Sequence, residues 1–312
     1  MDSISEKKPT IIIPYSGACR EAECSDYFLY LRPETNGVRV ESAILRVIES
    51  NPDFKSHITL EYLANFPGNF ILHNHVIEEH YRVRLHFASH GKAGFTQGMI
   101  NHFEYYYRVK FAEAKILGAF EALAELEISE EELFNLWVPP YDILISCGQI
   151  IKRKDDKFIV NYDIPALLHK NNHKTDIAVM ILRTDLSNQA FYKFLDQVKE
   201  ALMSSMILDP SKPFSRIFHY SKGPFEQLLD AQGYLYNPAF EKIPLEDFSF
   251  GCYLQNQGLS PSRMLEILDN PIFRFPTAKG ELEENIIEAT QGFTYGEALN
   301  KLRTAVGQVF LK

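Results

Sequence analysis

The sequence predicts a mixed α+β protein, rich in helix, with short strands and one β-hairpin packed against many helices. Three observations predict it. Several short β-branched or aromatic runs end in turn residues, among them TIII at residues 10–13, YFLYLR at 27–32 and IAVMILR at 177–183. Longer stretches repeat apolar residues at helical spacing, such as Phe191, Phe194, Leu195, Val198 and Leu202. The two patterns do not alternate regularly along the chain, which argues against a doubly wound parallel sheet.

Composition sets the outer limits. The chain has 312 residues, 46% hydrophobic and 23% charged, which suits one large or two modest packed domains. Its formal charge of −9 argues against broad binding to nucleic acid or an anionic membrane surface, since both need an excess of Lys and Arg. Four cysteines are too few for a disulfide scaffold in a chain of this size. Cys19 and Cys24 stand in C-x4-C spacing, wider than a thioredoxin-type or zinc-knuckle pair. The apolar run near the start is four residues long and no stretch approaches ~18 apolar residues. A reduced, cytoplasmic protein without membrane spans is expected.

In chain order, Pro14 ends the first strand and a loop with Gly17 leads to the second. Residues 33–37, PETNG, are a turn. Val40, Ile44, Val47 and Ile48 predict a helix to about Glu49, closed by Asn51-Pro52. A short helix is expected over 58–65, then a buried strand at 70–72 and a helix over 76–89 with Gly91 at its end. Thr96 caps a helix reaching toward Glu127, and Ser129 with Glu132 forms a capping box. Val138-Pro139-Pro140 is the clearest break, which places a domain over 1–138 and a second region over 139–312 that can pack with it as one unit. Beyond it, residues 141–164 read as a hairpin around 154–157. Ser187 caps a helix, and Ser260-Pro261 starts another. Helices are expected over 223–232, 245–257, 260–268, 282–290 and 294–310, giving a helical C-terminal third.

The residues that could carry chemistry concentrate in 69–115, which holds His73, His75, His80, His86, His90 and His102, a cluster of arginines and a glycine-rich turn. His73-x-His75 after an apolar run puts two imidazoles on one side of an extended segment, a plausible pair of ligands for zinc or another divalent metal. The pair is similar to the H-x-H of metal-dependent hydrolases that carry it after a first barrel strand. The likeness covers three residues without an eightfold strand–helix repeat, and no family is assigned. His86 and His90 share a helical face. Glu79 and His80 are candidate catalytic groups beside His73 and His75, and Arg82, Lys92 and Arg108 are candidate substrate-binding cations.

Residues 89–96, SHGKAGFT, precede a helix and suit an anion, although the P-loop pattern is absent. No G-x-S-x-G elbow occurs, and Cys147 and Cys252 read as structural thiols. The expectation is a hydrolase-type enzyme acting on a small polar or phosphorylated substrate through a His/Arg-lined pocket. The alternative is a non-catalytic protein–protein interaction module that uses its helical C-terminal half.

Overall fold

The computed structural model describes residues 8–19, 24–31, 37–170, 172–207, 218–278 and 280–311. The turn expected over 33–36 and most of the polar opening segment lie outside them. Among the described residues there are β1 (Thr10–Ile13), β2 (Ser25–Leu31), β3 (Ile58–Phe66), β4 (Lys115–Gly118), β5 (Ile143–Ser146), β6 (Gln149–Lys154), β7 (Lys157–Val160), β8 (Ile177–Thr184), β9 (Phe218–Tyr220), β10 (Ile272–Thr277), β11 (Gly280–Asn285) and β12 (Gly307–Val309). The mixed α+β class is therefore observed. No helix among the described residues is long and apolar enough to cross a membrane.

The chain divides into two units, each assembled from three segments. The first comprises Met1–Val76, Asn172–Met264 and Thr290–Leu299, and the second comprises Ile77–Asn171, Leu265–Ala289 and Asn300–Lys312. Val138 lies inside the second.

The first unit is built on an antiparallel sheet in the order β1-β3-β8-β2-β9. Helix Val38–Ser50 connects β2 to β3, and helix Asn188–Ser204 connects β8 to β9. Two such β-α-β units interleaved in one sheet form the split, ferredoxin-like arrangement, here with β1 added at one edge. The helices form where apolar spacing predicts them. Val40, Ile44, Val47 and Ile48 of one and Phe191, Phe194, Leu195, Val198 and Leu202 of the other join Tyr27, Leu29, Leu31, Met180 and Leu182 in a single core. Ser187 caps the second helix by accepting the Ala190 amide at 3.3 Å. The opposite sheet face carries aromatics: Tyr30 and Phe66 meet the Tyr234 ring at 5.0 and 5.9 Å, and Phe28 meets Phe248 at 5.5 Å.

Local reading fails at two places in this unit. Residues 58–65, expected as helix, are strand β3, because pairing along β8 uses the β-branched and aromatic residues that helical spacing misread. Residues 70–72, expected as strand, belong to helix Gly68–His73, which starts after the extended Pro67 and buries Phe70 and Ile71.

The second unit contains a four-stranded sheet in the order β4-β7-β6-β5, with β4 parallel to β7 and the rest antiparallel. The expected hairpin is present, with Asp155 at φ 56 in the turn between β6 and β7. Cys147 and Gly148, at φ 50 and 79, make the two-residue turn between β5 and β6. Phe87, Phe103, Tyr107, Ile151 and Phe158 fill the core. The helix expected to reach Glu127 stops at Tyr107, where Arg108 turns left-handed at φ 57, and β4 follows. The capping box at Ser129 is formed.

The C-terminal third is not wholly helical. It holds a second sheet of order β11-β10-β12. Residues 280–285 pair residue for residue with β10, so the helix expected over 282–290 shrinks to one turn, Ile286–Ala289. The helix expected to reach Phe310 ends at Arg303 and yields β12.

One close approach in the second unit fixes its backbone. A Cβ on Gly118 would run into the Ala88 carbonyl, and one on Gly91 into the Gly118 amide. Gly118→Ala should therefore cost about 2–3 kcal/mol, as overpacking against backbone does. Denaturant unfolding of the variant checks this, and a loss below about 0.5 kcal/mol would show that the helix end moves freely.

Candidate functional site

The histidine-rich stretch does not assemble into one site within either unit. His73 is the last residue of its helix and His75 sits in a turn at φ 48, so the extended geometry expected of the pair is not formed. The apolar run before them is helical, and that removes the reason for two imidazoles to share a side. Both belong to the first unit, whereas Glu79, His80, Arg82, Lys92 and Arg108 belong to the second. Among the described residues no three His, Cys, Asp or Glu side chains are grouped to hold a metal ion. The zinc expectation loses its ligand set.

The cations expected to bind substrate serve the fold. Arg82 pairs with Asp269, with Glu79 at 4.0 Å. The Lys92 ammonium donates to the carbonyls of Ala112 and Ala114 at 2.8 and 3.0 Å. Arg108 stacks over the Tyr105 ring at 4.6 Å. His80 is buried with its ring edge-on to Tyr81. The rings of His86 and His90 stack at 4.3 Å, and burial together with the neighbouring imidazole lowers the His86 pKa.

The anion site expected before residue 97 is filled from within the unit. The Glu283 carboxylate accepts the Gly98 amide at 3.1 Å and the Thr96 hydroxyl, so the amides at this helix start already hold a negative charge. Cys147 donates to the Glu283 carbonyl at 3.3 Å, and burial pushes its thiol up to about 12. A thiol of that kind is a poor nucleophile at neutral pH. Lys152 is another displaced group in this unit. Its ammonium lies 3.4 Å from the Tyr162 ring centroid and donates to the Leu136 carbonyl at 2.7 Å.

A better candidate lies in the first unit, at residues that sequence reading did not single out. Asp26 opens β2 and faces Arg183 directly across β8. Asp26 is fully buried. The guanidinium grips it with two bonds, Nε to Oδ1 at 2.7 Å and Nη2 to Oδ2 at 2.9 Å. Tyr15 and Ser249 hydroxyls each donate to Oδ2 at 2.6 Å. Burial opposes the Arg183 charge, and the bonds and charge of Asp26 more than offset it, raising its pKa. Burial and then the Asp26 carboxylate raise the pKa of the Tyr15 hydroxyl, which stays protonated. Arg183 Nη2 also donates to the Gly17 carbonyl at 2.7 Å, fixing the segment that follows β1.

That segment is one wall of an open cleft of about 640 Å³. Tyr15, Ser16, Gly17 and Ala18 line it, facing Asn237, the turn from Ile243 through Asp247, and Cys252. None of the described lining residues is basic. Glu246 and Asp247 contribute two carboxylates with no ion pair among the described residues, while the Tyr15 and Ser16 hydroxyls donate to Asp26 and Glu61.

A separate cluster in the same unit surrounds His219. Its ring stacks on Tyr30 at 4.2 Å, and Nε2 lies 3.2 Å from Asp230 and 3.8 Å from Glu226. Burial first, and then the charge of Asp230, raise the Glu226 pKa against the opposing pull of His219. None of these residues lines the cleft.

A signal for Asp26 and Arg183 was present in the sequence. Asp26 has the same strand parity as the buried Phe28 and Tyr30, and Arg183 the same parity as Val179 and Ile181. Opposite charges in two otherwise buried strands are a pair waiting for a register. Comparison with known proteins adds no relative, since no family model matches the chain and no curated protein or solved structure resembles it significantly.

Removing one partner of a buried ion pair strands the other. Asp26→Asn should cost about 3–5 kcal/mol in denaturant unfolding, and an unchanged midpoint would refute the structural weight given to the pair. Lys152 gives a pH signature. Burial lowers its pKa from 10.5 to about 8, so between those values the unfolded chain binds more protons and the folded state gains stability as pH rises. Relative to Lys152→Met, the wild type should gain stability between pH 8 and 10.5. A flat difference across that window counts against it.

Proposed function

We propose that this chain binds a small polar molecule carrying a basic nitrogen in the cleft of its first unit. The observation that carries the reading is the cleft's lining: two carboxylates, Glu246 and Asp247, without ion-pair partners, and no basic side chain, among the described residues. A phosphorylated ligand would meet no countercharge there, whereas an amine or guanidinium would meet two. The Tyr15 ring adds a π face, and the hydroxyl of Ser16 adds a polar contact. The wall needs no rearrangement, because Arg183 and Asp26 already hold it.

This reading replaces the His/Arg-lined pocket with an acidic cleft in the other unit. No imidazole lines it, which favours recognition over the hydrolase-type chemistry expected from the histidines. A second reading, docking of a protein partner, is favoured by one observation in the other unit: Trp137 and Tyr141 are 76% and 74% exposed.

Isothermal titration with arginine, a short polyamine and inorganic phosphate tests the main proposal. One of the two amines should bind and phosphate should not. Glu246→Gln with Asp247→Asn should weaken that binding roughly tenfold or more, the size of one lost charge-assisted contact. Phosphate binding without amine binding, or amine binding indifferent to the double substitution, would sink it.

A further inference from the structure

Cys19 follows the cleft wall and Cys24 directly precedes β2. Both are free thiols, Cys19 half-buried and Cys24 buried. Independent bonds tie both to the same groups. The Cys19 amide donates to the Ser249 hydroxyl at 2.7 Å, and that hydroxyl donates to Asp26, two residues after Cys24, at 2.6 Å. Arg183 Nη2 makes a second bridge, reaching Gly17 at 2.7 Å on one side and Asp26 at 2.9 Å on the other. A disulfide requires Cα atoms about 4.4–6.8 Å apart, and two bridges that gather residues 17–19 and 26 around one carboxylate favour such an approach.

We propose that Cys19 and Cys24 are a redox pair that closes into an intrachain disulfide on contact with hydrogen peroxide. Burial, and then a hydrogen bond with Cys19, raise the Cys24 thiol above its ordinary value, so the buried sulfur holds its proton and the more exposed one reacts first. The Cys19 sulfur attacks the peroxide oxygen, the O–O bond breaks, and Cys19 becomes a sulfenic acid with release of one water. The Cys24 sulfur then attacks the Cys19 sulfur. The S–O bond breaks and the hydroxide leaves as a second water, taking the Cys24 proton. Two thiols are oxidised and one peroxide is reduced to two waters. The new bond straps the segment that walls the cleft, and it stands whether or not the cleft binds a base.

Peptide mapping of the full chain tests it. Reduced folded protein is treated with hydrogen peroxide, alkylated and digested, with oxidation of Met206, 91% exposed, as the control for exposure to oxidant. The expected product is a peptide cross-linked between Cys19 and Cys24, lighter by two hydrogens, restored to two alkylatable thiols by dithiothreitol. It should vanish in Cys19→Ser and persist in Cys252→Ser. Recovery of both cysteines fully alkylated once Met206 is oxidised overturns the proposal. So does sulfinic acid at Cys19 without a cross-link, or a cross-link that includes Cys252. The wild-type map decides the matter even if a substitution at buried Cys24 prevents folding.

Discussion

The first unit turns on a pair of opposite charges placed face to face in the middle of its sheet. Asp26 and Arg183 occupy matching positions on β2 and β8, and a slip of one residue would send each to the wrong face. Burying either charge alone would be prohibitive, so the pair specifies register as firmly as any apolar contact around it. The same guanidinium then reaches past its partner to the Gly17 carbonyl. A strand register and the wall of a cleft are held by one side chain.

The second unit shows the opposite use of polar residues. Lys92 caps carbonyls, Arg84 grips Asp163 with bonds of 2.8 and 3.0 Å, and Glu283 closes a helix start. Each charge is spent on backbone or on a neighbour within the unit. That is why a stretch so dense in histidine and arginine leaves no open site of its own: the groups that looked reactive in the sequence satisfy donors and acceptors that folding would otherwise strand.

Much of the fold was legible. Apolar spacing placed the helices that begin at Val38 and Asn188, β-branched density placed β8, and turn and cap chemistry placed the hairpin of β6 with β7 and the box at Ser129. What failed depended on distant partners. Residues 58–65 became a strand because β8 was there to pair with, and residues 280–285 because β10 was. His73 and His75 looked like ligands only while their approach was taken as extended. The cleft was invisible because its lining comes from residues 15–18 and 237–252, short segments far apart in sequence with no motif between them.

The tripartite construction of both units bears on synthesis. A chain emerging from the ribosome offers its N-terminal half first, and domains made of one continuous segment can fold as soon as they are complete. Here the first unit waits for Thr290–Leu299 and the second for Asn300–Lys312. Strand β3 is made long before β8, and β10 must wait for β12. Neither unit reaches its final contacts until these segments have been made, so the nascent chain carries unpaired strand edges until then.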